Sequence, residues 1–110
     1  EQTPEEIRAV AARLNDMGDI SIPHLMDWAE EYRGARAVAA AEVELLLETS
    51  SRWLRERVEF RLREGHLSVD PELDVFSTLA ACRKALIQRN ANPQMIAERA
   101  LFALRGAVIQ

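Results

Sequence analysis

The side chains that most often do chemistry are few in this chain and stand far apart. It has two histidines, His24 and His66, and a single cysteine, Cys82. Neither histidine has another His, Cys or acidic residue at a recognisable metal-ligand spacing, so we expect no metal site. A lone cysteine also excludes an intrachain disulfide and a cysteine-based zinc site.

Other candidates for catalysis are equally weak. The adjacent acids Glu5/Glu6 and Glu30/Glu31 would diverge by about 100° on a helix and could not act on one atom. Ser50 falls on the apolar stripe of a long helical pattern, where a hydroxyl can bond back to the i−4 carbonyl and nothing nearby would activate it as a nucleophile. No glycine-rich phosphate-binding loop occurs. The sequence therefore predicts neither a catalytic site nor a bound cofactor.

Composition favours one small helical domain over residues 1–110. The chain has 110 residues, 48% of them hydrophobic, and a net charge of −4. This is enough apolar material for one core, while the negative charge argues against direct contact with nucleic acid. Apolar stretches are too short to span a membrane, so we expect a cytoplasmic protein. Because it begins with Glu1, we expect it to be part of a longer chain.

Helix start and stop signals divide the chain into five segments. Thr3, followed by Pro and two Glu, predicts a capped first helix that ends near Asn15. Ser21 opens a second helix, expected to end near Gly34. Residues 35–64 contain no Pro or Gly and predict a long central helix that stops at Gly65. Its wide apolar arc predicts neighbouring helices on two sides. That arc comprises Val43, Leu46, Leu47, Ser50, Leu54 and Val58, flanked by Val38, Leu45, Trp53 and Phe60.

The last two helices meet at a sharp corner. A fourth helix opens at Asp70 and carries Cys82 on its apolar line, so we expect Cys82 in the core. Asn90 suits the left-handed conformation that ends a helix, Asn92 can cap the next, and Pro93 fits its first turn. A fifth helix should run to about residue 108. The predicted fold is all-α, a compact five-helix domain with one long central helix.

Residues 89–104, RNANPQMIAERALFAL, resemble the closing helix of bacterial DNA polymerase III delta-prime subunits and their gamma/tau relatives. In that family an Asn-x-Asn-Pro corner leads into a Leu-rich helix with Glu five residues after the Pro, where Glu98 stands here. Ala97 and Ala100 replace residues that are often leucines. The resemblance implies a C-terminal collar domain that joins clamp-loader subunits in a pentamer, with gamma/tau and delta as partners. The nucleotide motifs and zinc ligands of the family's ATPase modules are not in this sequence.

Two features are candidates for a subunit interface. Met95, Phe102 and Ile109 recur every seven residues on the fifth helix, apart from its broad stripe of Ala and Leu. They could contact a neighbouring subunit, or the N-terminal helices could fold over them. Arg83 interrupts the apolar face of the fourth helix. It either extends its guanidinium to solvent or forms an ion pair across a subunit boundary.

Two other classes of protein fit the sequence less well. The first is a generic homodimeric helical adaptor. A helix-turn-helix DNA-binding regulator would use the second helix, but that helix carries Asp27, Glu30 and Glu31, which would repel phosphates. We therefore expect an assembly domain.

Overall fold

The computed structural model describes residues 4–109, which form five α-helices and a short 3-10 turn. The prediction of an all-helical domain with one long central helix is confirmed. The expected cap at Thr3 lies outside the described residues. In chain order the elements are α1 (Pro4–Asn15), the 3-10 turn (Met17–Asp19), α2 (Ile22–Glu30), α3 (Arg36–Arg63), α4 (Asp70–Gln88) and α5 (Pro93–Val108).

Local signals explain most of these boundaries. The hydroxyl of Ser21 accepts a hydrogen bond from the backbone N–H of His24, at 3.3 Å, and so caps α2. Gly65 adopts a φ of 90°, which favours glycine. The N–H of His66 then reaches the carbonyl of Arg61 at 3.0 Å, and the N–H of Gly65 reaches that of Leu62 at 3.1 Å. This pair of bonds forms a Schellman motif, at the glycine where the sequence predicted that α3 stops.

The end of α2 differs from the prediction. It was expected near Gly34, but α2 ends at Glu30. The N–H groups of Glu31, Tyr32 and Arg33 bond three residues back rather than four, so the last turn tightens before the chain leaves the helix. Gly34, with a φ of 114°, lies in the connection to α3. The glycine therefore marks the reversal of the chain and not the helix end.

The core forms where α5 packs against α2, α3 and α4, while α1 packs against α3. The central part of α3 thus has neighbours on two sides, as predicted. Two flanking residues of the predicted apolar arc nevertheless stay exposed: Val38 is 59% exposed and Phe60 is 58% exposed. The side chain of Asn15, the last residue of α1, accepts a hydrogen bond from the indole of Trp53. Phe60 lies two turns further along α3, beyond the reach of α1.

Candidate assembly surface on α5

The connection between α4 and α5 fixes where α5 begins. Asn90 has a φ of 54°, and the N–H of Ala91 donates to the carbonyl of Ala85 at 3.1 Å. The side chain of Asn92 accepts from the N–H of Met95 at 3.2 Å, which satisfies a free donor of the first turn. Pro93 follows at the first helical position and is buried. These are the conformations that the residue types predicted.

Arginines hold the connection before α5 and the C-terminal part of α5 itself. The guanidinium of Arg36, in the first turn of α3, donates to the carbonyls of Leu86 and Ala91, each at 3.3 Å. At the other end, Nε of Arg105 donates to the carbonyl of Ile20 at 3.0 Å. Bonds between a charged donor and a carbonyl are stronger than neutral ones. The bonds of Arg36 thus fix the chain just before α5, and the bond of Arg105 fixes the helix near its C-terminus.

The inner face of α5 is entirely covered. Ala97, Ala100, Leu101 and Leu104 are fully buried. Cys82 of α4 is also buried, with its Sγ 3.9 Å from the carbonyl oxygen of Ile96. Burial raises the pKa of the Cys82 thiol, with a smaller opposing effect from Arg99. The prediction that Cys82 is a core residue is confirmed.

Met95 and Phe102 of the seven-residue repeat lie on the outer face of α5, Ile109 follows directly after the helix, and all three are exposed. Met95 is 66% exposed, Phe102 is 41% exposed and Ile109 is 50% exposed. In this structure α1 packs on α3. Helix α2 packs on α5, on the side from which Arg105 reaches the carbonyl of Ile20. The expectation that the N-terminal helices fold over the line is therefore wrong. We call Met95, Phe102 and Ile109 the outer line.

A shallow pocket of about 230 Å³ adjoins the outer line, between α4 and α5. Phe102 forms one side of it, and Pro71 and Thr78 of α4 lie opposite. On the α5 side, Gly106 and Ala107 have little or no side chain, so this wall of the pocket is shallow. An apolar side chain of a partner could enter beside the Phe102 ring. Such pockets around a central aromatic residue are typical of the energetically important part of an interface.

Arg83 lies apart from the outer line. Its Nη2 is 3.7 Å from Oε2 of Glu44 and 3.9 Å from Oε1 of Glu48, and its side chain is 54% exposed. The side chain of Arg83 therefore extends away from the apolar face of α4 towards α3, in keeping with the prediction that its guanidinium extends to solvent. The groove beside Arg83 lies between α3 and α4, whereas Phe102 lies between α4 and α5. The structure does not bring the two candidates together.

The sequence did not predict one buried cluster of charged side chains. Glu72 is fully buried in the first turn of α4, with Oε2 3.5 Å from Nε of Arg57 and 3.3 Å from Nε of Arg61. Two arginines one helical turn apart thus hold a single carboxylate and join the end of α3 to the start of α4. The i,i+4 arginine pair was a signal, but it does not reveal which acid it binds. The attraction is electrostatic, because both carboxylate oxygens of Glu72 and the Nε atoms of Arg57 and Arg61 are buried without a hydrogen-bond partner among residues 4–109.

Residues 4–109 contain no group of three or more His, Cys, Asp or Glu that could hold a metal ion. The two histidines are exposed, and Nδ1 of His24 lies 2.9 Å from the hydroxyl of Ser21. Within the described part of the chain, no helix is both long and apolar enough to cross a membrane.

No family model, curated protein or solved structure matches this chain. Evidence about function comes instead from two sources. One is the resemblance carried by residues 89–104. The other is the surface of the helix that those residues build, which presents an apolar line to solvent.

Proposed function

We propose that this chain is a non-catalytic assembly domain, the C-terminal collar domain of a bacterial clamp-loader subunit of the delta-prime type. In this role it would hold its subunit in the pentameric clamp loader of DNA replication. The observation that carries the proposal is the exposed outer line of α5. It lies on the helix whose sequence resembles the collar family.

The outer line is well suited to bind a partner helix. Met95, Phe102 and Ile109 follow one side of a helix over two heptads, the spacing that lets a second helix pack alongside. Complete burial of one large apolar side chain contributes roughly 1.5–3 kcal/mol relative to full exposure. Three residues that are already part-covered could together still contribute several kcal/mol. Because the inner face of α5 is buried in the core and Arg105 bonds to Ile20, little conformational entropy is lost when a partner binds.

The resemblance suggests which proteins bind there. Collar domains associate with each other, so the partners would be the gamma/tau and delta subunits of a clamp loader. Such a domain works in the cytoplasm and contacts protein rather than DNA, in keeping with a net charge of −4. We assign it no reaction and no cofactor.

Analytical ultracentrifugation tests this proposal. The chain is sedimented alone and then with purified gamma/tau and delta subunits from the same source. We expect a monomer alone and a larger species in the mixture. A stable dimer of the chain alone would favour the homodimeric adaptor, whose twofold interface would use the same line. No association with either subunit would overturn the collar assignment.

Duplex DNA provides the counter-test. In fluorescence anisotropy at low salt, where contacts to phosphate are strongest, we expect no binding of a labelled duplex. Tight, salt-sensitive binding would favour the helix-turn-helix regulator instead.

A further inference from the structure

A pocket with basic and amide side chains lies where the connection between α2 and α3 meets the connection between α4 and α5. Its volume is about 480 Å³, within the range of roughly 300–1,000 Å³ that is typical of small-molecule sites. No aspartate or glutamate among residues 4–109 lines it. Its polar side chains are two guanidinium groups, three carboxamides and one phenol, from Arg33, Arg36, Asn90, Asn92, Gln94 and Tyr32.

Arg36 is held in place at the wall of this pocket. Its Nη2 donates to the carbonyls of Leu86 and Ala91, each at 3.3 Å. Arg36 forms no ion pair with a carboxylate of residues 4–109, whereas Arg13 and Arg83 do. Because a carbonyl accepts a hydrogen bond but has no formal charge, the positive charge of Arg36 is not neutralised. Its Nε and Nη1 groups are still able to donate hydrogen bonds to a ligand.

The carboxamides supply further donors. The side-chain oxygen of Asn92 already accepts from the N–H of Met95, so its NH2 group is the part that remains to bind a ligand. The side chains of Asn90 and Gln94 can each donate two hydrogen bonds as well. The pocket therefore combines one unneutralised charge with several neutral donors.

Arg33 adds a second guanidinium that is partly neutralised. Its Nη1 lies 3.6 Å from Oε1 of Glu30, and the two side chains are 68% and 54% exposed. An exposed pair at this distance interacts weakly, and most of the Arg33 guanidinium stays accessible. Even if this pair is counted as neutral, Arg36 leaves the pocket positive in a chain whose net charge is −4.

We propose that this pocket binds a small anion, a molecule that carries a phosphate or carboxylate group. The planar guanidinium of Arg36 can offer two N–H groups to two oxygens of such an anion, and the carboxamides can donate to the others. Because Arg36 is already fixed by two carbonyls, little of its freedom is lost on binding. The proposal does not rest on the collar assignment, since no residue of the outer line belongs to this pocket.

Isothermal titration calorimetry with pyrophosphate and with citrate tests the proposal, and the tighter ligand identifies the anionic group. At low salt we expect one-to-one binding of at least one of them with a Kd below about 1 mM. Arg36→Gln should weaken it at least about tenfold, because the charge is lost. Gln94→Glu should weaken it about as much, because it places a carboxylate in the pocket. A negative charge in the first turn of α5 favours the helix, so this second variant should stay folded.

Matched variants separate the pocket from the net charge of the protein. Ser77→Glu makes the same charge change on an exposed residue of α4, and Arg63→Gln removes an exposed arginine at the opposite end of α3. Both should bind within about twofold of the parent. Equal losses with Ser77→Glu and Gln94→Glu would show an effect of net charge only and overturn the proposal. Undiminished binding by Arg36→Gln, or no saturation by either anion at about 10 mM, would also overturn it.

Discussion

The two faces of α5 differ sharply although they belong to one helix. The inner face is made of Ala and Leu, and Ala97, Leu101 and Leu104 have no exposed surface. The outer face carries larger side chains, and Met95 and Phe102 stay 66% and 41% exposed. The inner face makes the fold, and we propose that the outer face makes a contact between subunits.

The inner face should tolerate little change. Leu101→Ala removes buried methyl groups from the centre of the core and leaves a cavity, so we expect a loss of about 2–5 kcal/mol in the free energy of unfolding. Urea denaturation followed by circular dichroism measures it. A loss under about 1 kcal/mol would mean that the inner face is not the main support of the fold.

The reactivity of Cys82, on α4, measures how closely the inner face of α5 is covered. Its thiol is buried against α5, and burial raises its pKa, so the reactive thiolate is scarce at neutral pH. We expect a thiol reagent to label the native protein more than about tenfold more slowly than the urea-unfolded protein at the same pH. Leu101→Ala should speed the labelling. Equal rates for native and unfolded protein would contradict the closed inner face.

The start of α5 supports both faces and should show a smaller effect. Asn92→Ala removes the side-chain acceptor for the N–H of Met95, so we expect a loss of about 1 kcal/mol. Asn92→Asp, which keeps an acceptor, is the control and should retain most of the stability. Thermal melting compares the variants, and an unchanged melting temperature for Asn92→Ala would show that the cap contributes nothing.

Features that depend on neighbouring residues were predictable from the sequence. The Asn92 cap, the left-handed Asn90 and the Gly65 helix end each follow from a few adjacent side chains. The buried stripe of α5 also follows, because its helical period is regular. Even here the end of α2 was misplaced, since the tightened turn after Glu30 has no clear residue signal.

Features that depend on how far one helix extends along another were not predictable. Phe60 shares the apolar arc of α3 but is exposed, because α1 ends beside Trp53. Glu72 looked like an ordinary acid in a first helical turn, yet it is buried between Arg57 and Arg61. The exposure of the outer line was not predictable either, because the sequence left open whether α1 or α2 covers it.

The most direct test of the account compares charge at the outer line with charge elsewhere on the surface. Phe102→Asp and Met95→Asp each place a carboxylate in the proposed interface, and Ile87→Asp places one on α4 at a residue that is 53% exposed. Met95→Asp and Ile87→Asp should unfold within about 0.5 kcal/mol of the parent, because these side chains are more than half exposed. Phe102→Asp should stay folded but lose about 1–2 kcal/mol, because more than half of the Phe102 side chain is covered. In sedimentation with gamma/tau and delta subunits, the two α5 variants should lose the larger species while Ile87→Asp keeps it. Full assembly by both α5 variants, or global unfolding of both, would contradict the claim that the outer line is a subunit interface.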